Sequence, residues 1–202
     1  MHTRLTKETL PAAIRHLKSV DPVLGSIIDR VGKIEIHTKP NTVDSLVGII
    51  ANQQLSGTAA TTIFKRVQAL NKGKALTVTA LKRMSDEQIR GAGMSYGKIR
   101  TIRAVCDAID CRSLKLKALE SLPDEEVFKV ITSVKGKGPW SAQMYLMFVL
   151  NRPDIFSAGD GGIQKALRVF YKAKTERKIA AIVAKWQPYR TVACLYLWRG
   201  LD

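Results

Sequence analysis

A chain of 202 residues, 46% of them hydrophobic, is long enough to bury one large core or two small lobes. It carries 33 Lys+Arg against 17 Asp+Glu, a formal charge of +16 that favours a polyanionic partner, nucleic acid before others. No stretch approaches the roughly 20 apolar residues of a membrane span, and Met1-His2-Thr3-Arg4-Leu5 has no apolar core of a secretory signal, so a soluble, intracellular protein without membrane association is expected. That means cytoplasmic and nucleoid-associated in a bacterium, or nuclear in a eukaryote. Charge by itself separates neither DNA from RNA nor a nucleic-acid enzyme from a generic basic protein. Cys106, Cys111 and Cys194 make neither a CxxC pair nor a four-thiolate set, so no structural zinc or iron–sulfur site is expected.

In chain order, nearly every segment reads as helix. Asp21-Pro22 followed by Val23, Leu24, Ile27, Ile28 and Val31, then Gly32, combines a cap, a first-turn proline, an apolar stripe and a glycine stop. Lys33-Ile34-Glu35-Ile36-His37 alternates like a strand, but it is short. Ser56 precedes Ala59, Ala60, Ile63, Phe64 and Val67 at helical spacing, and Asn71-Lys72-Gly73-Lys74 reads as a polar loop. Ser85 and Gln88 have capping-box spacing, and Ser95 precedes Ile99, Ile102, Val105 and Ile109. Asp124, Glu125 and Glu126 after Pro123 put acids in a first turn, where the helix dipole favours them. Helices over 141–150, 162–171, 177–185 and 188–198 complete an all-α fold. No linker or repeat divides the chain. A single unit over 1–202 is expected, a two-lobed helical bundle with approximate lobes 36–160 and 1–35 plus 161–202.

The segment Val134-Lys135-Gly136-Lys137-Gly138-Pro139-Trp140-Ser141-Ala142 concentrates chemistry. One helix ends, Gly-x-Gly makes a tight turn and a second helix begins near Ser141. Glycines allow positive φ and close approach of a ligand, and the N–H groups opening the second helix can receive a phosphate. Lys135 and Lys137 add charge at the turn. Such a turn is also an ordinary interhelix connection; the two lysines in a basic chain favour phosphate binding.

This pattern resembles the helix-hairpin-helix of the HhH-GPD superfamily of DNA glycosylases. In that family a Gly/Pro-rich loop ending in an essential Asp follows about 20 residues later, and here Ser157-Ala158-Gly159-Asp160-Gly161-Gly162 occupies that place. Three further segments are similar to the branch of the inducible bacterial 3-methyladenine glycosylase (AlkA type): Asn52-Gln53-Gln54-Leu55-Ser56, Gly93-Met94-Ser95 with Lys98, and Trp186-Gln187-Pro188-Tyr189-Arg190 with Ala193, Tyr196, Leu197 and Trp198. The resemblance spans roughly residues 42 to 202.

The resemblance implies a DNA glycosylase acting by base flipping on double-stranded DNA that contains alkylated bases, working as a monomer without a cofactor. It puts Asp160 at the catalytic position, under the deoxyribose whose positive charge it would stabilise. Asp160 also reads as a cap for the following helix, and Asp154 as a solvated loop residue. Trp140 matches a position in the base pocket; Trp186 and, more weakly, Tyr189 are pocket candidates whose alternative is core packing. Gln53 and Gln54 lie near the wedge that fills the gap left by the flipped nucleotide, with a polar neighbourhood for Ser56 as the alternative. Lys135, Gly136, Lys137, Gly138 and Ser141 are the expected DNA contacts of the hairpin, and Gln53, Gln54 and Ser56 are further DNA-binding candidates. Backbone carbonyls of Thr132, Val134 and Lys137 match those that hold a monovalent cation in relatives. Bifunctional relatives carry a Lys immediately before the hairpin Ser; Trp140 stands there, which implies hydrolysis without lyase chemistry. Gly161 and Met144 replace pocket tyrosines of the AlkA type, implying a more open pocket, and no N-terminal β-domain of that type is expected. Uracil or deaminated purines as targets, or a non-catalytic DNA-binding module, remain alternatives.

Overall fold

The computed structural model of the protein describes residues 4–55 and 57–201. All regular structure among them is helical: thirteen helices and no strand. The chain forms two compact units. One, here the terminal unit, joins the segment ending at Thr38 to the segment beginning at Leu146; the other, the central unit, runs Lys39–Tyr145. The expected lobe boundary near 160 therefore differs from the observed one, because residues 146–160 pack with the chain ends.

In the terminal unit α1 (Leu10–Val20) and α2 (Pro22–Val31) pack on each other and on α13 (Arg190–Arg199), which also carries α11 (Gly161–Tyr171); α12 is Glu176–Ala184. Asp21 caps α2 by accepting the Leu24 N–H at 3.0 Å, and Gly32 stops it with φ of 73°. The terminal core includes Leu17, Leu24, Leu167, Val192 and Leu197. Ile34 is buried although residues 33–37 make no ladder, so the alternation there reflects one side chain reaching the core from an irregular segment.

In the central unit α3 (Val43–Asn52) packs against α4 (Gly57–Leu70) and α7 (Tyr96–Asp110); α5 (Val78–Arg83) and α6 (Asp86–Gly91) also pack on α7. The capping box of Ser85 and Gln88 closes reciprocally, at 3.2 and 2.8 Å. Residues 116–119 form α8 (Leu116–Leu119), α9 is Asp124–Ser133, and α10 (Pro139–Phe148) contains the boundary between the units. The sequence patterns do not signal four of the helices, α1, α3, α5 and α8. α3 is buried from Ser45 through Ala51, with half-buried Asp44 and Asn52 near its ends, so almost no exposed face marks it. α1 lacks a side-chain cap.

Candidate active site and DNA-contacting hairpin

In the central unit the turn between α9 and α10 closes through the Lys137 N–H on the Val134 carbonyl at 2.9 Å. Gly136 sits at φ of 83°, and a Cβ there would lie 2.0 Å from Thr101 Oγ1 on α7, so both backbone conformation and contact demand glycine. Gln53, at the end of α3, donates from Nε2 to Ser141 Oγ at 2.8 Å and to the Gly136 carbonyl at 3.4 Å. One predicted residue thus braces two others. Lys98 Nζ donates to the Ala51 carbonyl at 2.8 Å, tying α7 to the end of α3 just before Gln53. Burial lowers the Lys98 pKa from its ordinary value.

Two expectations for DNA contacts change here. Ser141 is 1% exposed with its hydroxyl bonded to Gln53, and its N–H bonds to the Gly138 carbonyl at 3.0 Å, so it is a structural element of the turn. Lys137 is only 5% exposed, and its Nζ has no hydrogen-bond partner. Burial pulls its pKa down to about 7, because the interior disfavours an ammonium that nothing compensates. It presents no charge to solvent. Lys135 is exposed, as is Gly136, while Gly138 and Trp140 are half-buried. Gln54 is exposed in the left-handed region, with φ of 57°; Ser56 lies outside the described residues. Of the expected cation carbonyls, the Val134 oxygen accepts the Lys137 N–H, and Lys137 brings a buried amine to the turn.

In the terminal unit the loop before α11 is held by Asp154, which accepts from Arg190 Nε and Nη2 at 2.7 and 2.9 Å and from its N–H at 3.2 Å. Asp154 is therefore an ion-paired anchor for the start of α13, not a solvated loop residue. Asp160 is half-buried and caps α11: its Oδ1 accepts the Ile163 N–H at 2.9 Å. The same oxygen accepts Trp198 Nε1 at 2.8 Å, a bond from α13. Trp198 approaches so closely that a Cβ on Gly162 would lie 2.8 Å from its Cδ1. It stacks on Phe148 at 6.1 Å between centroids, interplanar angle 29°. Both rings line a pocket of about 210 Å³ with Ile36, His37, Glu35 and Leu195. That volume lies below the roughly 300–1,000 Å³ of pockets for drug-sized ligands and suits one small ring system.

Trp186 is no part of this pocket. It is fully buried, donates from Nε1 to Asp21 Oδ2 at 2.8 Å and meets Phe156 and Tyr171 edge-on. Tyr171 hydroxyl donates to the same carboxylate oxygen at 2.9 Å. An indole needs an acceptor when buried, and Asp21 supplies it, so the core reading prevails for Trp186. Half-buried Tyr189 packs edge-on to His16 at 5.5 Å. The resemblance includes Trp198 in its C-terminal segment but gives it no site role; the signal available is an aromatic on the last helix paired with the glycine two places after Asp160.

Residues 47–188 match the HhH-GPD superfamily of base excision DNA repair proteins. DNA-3-methyladenine glycosylase 1 of Schizosaccharomyces pombe is 30% identical over 205 residues, covering 98% of this chain and 88% of that protein. The structure of the S. pombe 3-methyladenine DNA glycosylase in complex with abasic DNA superposes with a TM-score of 0.84 at 29% identity, covering 93% of this chain and 95% of that one. A DNA-3-methyladenine glycosidase of Bacillus halodurans is 38% identical with a TM-score of 0.77, covering 92% and 87% of the two chains. With the family matched over most of the chain and the hairpin and helix-capping aspartate in place, this chain is a DNA glycosylase of the HhH-GPD superfamily of base excision repair proteins.

Proposed function

We propose that the chain hydrolyses the N-glycosidic bond of alkylated purines in duplex DNA, with Asp160 as the catalytic carboxylate. The observation that carries this reading is the carboxylate itself, half-buried at the head of α11 and oriented on one oxygen by two N–H donors, one of them an indole that lines a pocket. A target base must leave the stack to reach such a group, at a cost of a few kcal/mol. Its C1′–N bond then breaks with the electron pair going to the base. An alkylated purine, already cationic, departs neutral, and the positive charge appears on the sugar, where a negative carboxylate stabilises it. Water adds at C1′ and loses its proton. Trp140 occupies the place of a lysine nucleophile, so the chain has no Schiff-base route there and acts as a monofunctional hydrolase. Exposed Gln54 is the better wedge, because Gln53 is committed to the hairpin. The aromatic pair Phe148 and Trp198 offers electron-rich faces to a cationic base, an attraction of roughly 0.5–2 kcal/mol.

The test is base release from duplexes containing 3-methyladenine, 7-methylguanine, hypoxanthine or uracil, with excised bases identified by mass. Alkylpurine release that falls about a hundredfold or more in Asp160→Asn, with duplex binding retained, is expected. Release of uracil or hypoxanthine without alkylpurines, or undiminished release by the variant, overturns the proposal.

A further inference from the structure

Residues 165–185 carry seven cations (Lys165, Arg168, Lys172, Lys174, Arg177, Lys178 and Lys185) against one carboxylate, Glu176. A tenth of the chain thus supplies over a third of its net charge. All seven are exposed, and none takes part in an ion pair among the described residues. On α11, Lys165, Arg168 and Lys172 recur at i, i+3 and i+7, a single solvent row opposite buried Ile163, Ala166 and Leu167. Lys178 Nζ reaches the Lys172 carbonyl at 3.3 Å, which joins the start of α12 to the end of that row.

Helix stability does not explain these placements. Arg168 and Lys172 suit the C-terminus of α11, but Lys174, Arg177 and Lys178 surround the N-terminus of α12, where the dipole favours anions and disfavours cations. Like charges kept together against local preference mark a surface that meets a polyanion.

We propose that the α11–α12 face of the terminal unit is a second duplex-binding surface, contacting phosphates independently of the hairpin and of the lesion. A duplex repair enzyme meets undamaged DNA far more often than its target, and a sequence-independent phosphate contact is what holds it there. The aromatic residues at the end of α11 are engaged elsewhere, Phe170 beneath Arg30 and Tyr171 on Asp21, so the face contributes affinity without reading a base.

The test uses the full chain with Lys165→Gln, Arg168→Gln, Arg177→Gln and Lys178→Gln combined, titrated onto an undamaged duplex of about 30 base pairs between roughly 50 and 200 mM salt. The slope of log Kd against log salt is expected to become shallower by about 0.9 for each phosphate no longer neutralised, hence by about 2 or more, with affinity falling at least about tenfold at the lower salt. Base release from a lesion duplex under saturating enzyme stays at the parent rate, so a failure of the catalytic reading cannot be mistaken for a failure of this one. An unchanged slope overturns the proposal. So does loss of binding to phosphatidylserine–phosphatidylcholine vesicles with the duplex slope intact, which assigns the face to a membrane.

Discussion

Trp198 Nε1 and Ile163 N–H converge on one oxygen of Asp160, at 2.8 and 2.9 Å. The carboxylate is thereby clamped between the first turn of α11 and the side of α13, and the same indole forms a wall of the neighbouring pocket. Orientation of the carboxylate and shape of the pocket depend on one side chain.

Replacing Trp198 with Phe keeps an aromatic ring against Phe148 while removing the N–H donor together with part of the ring bulk. A hydrogen bond to a charged group contributes about 1.5–3 kcal/mol, so single-turnover base release should fall by about ten- to a hundredfold while duplex affinity is unchanged. An unaltered release rate would show that the indole does not set the carboxylate.

Gly162 and Gly161 make a matched pair. An added methyl at Gly162 runs into Trp198 at 2.8 Å, whereas one at Gly161 meets nothing within 4 Å. Gly162→Ala should slow release by displacing the indole; Gly161→Ala should leave release intact and raise stability by at most about 1 kcal/mol through helix propensity. Equal effects of the two in parallel release and melting measurements would contradict the role given to Gly162.

Lys137 should make the protein less stable at neutral pH than in mild alkali. Its folded pKa, about 7, lies below that of the unfolded chain, so between these values only the unfolded state holds the proton. The penalty is complete below pH 7 and is relieved as pH rises toward the unfolded value, at about 1.4 kcal/mol per unit in the ideal limit. Lys137→Met should raise denaturation midpoints at pH 7 and flatten the rise between pH 7 and 9. A pH profile identical to that of the parent would exclude the buried amine as the source.

Trp186→Phe removes the donor that Asp21 receives at the core of the terminal unit. Tyr171 remains on that oxygen, so the loss should be about 1–3 kcal/mol in chemical denaturation, with release per folded molecule unchanged. A selective loss of activity without loss of stability would restore Trp186 to the pocket.

Helix ends were legible because their signals are local: Asp21, Ser85, Ser95 and Asp160 each bond an N–H three residues on. α3 escaped because seven consecutive buried residues leave it almost no exposed face to mark. Lys137 misled because a lysine beside glycines looks the same in sequence whether the turn aims it at solvent or inward. Trp186 misled because a core indole and a pocket indole differ only in what lies around them.

Sequence by itself therefore determined the all-helical class, the hairpin, the aspartate that heads α11 and the excess of positive charge, since each depends on residue types at short, fixed spacings. Tertiary structure alone decided which tryptophan reaches Asp160, which glutamine braces the hairpin and which lysine is hidden. Those outcomes rest on pairs such as Asp160 with Trp198 and Gln53 with Ser141, brought together from distant parts of the chain by packing, which no local pattern encodes.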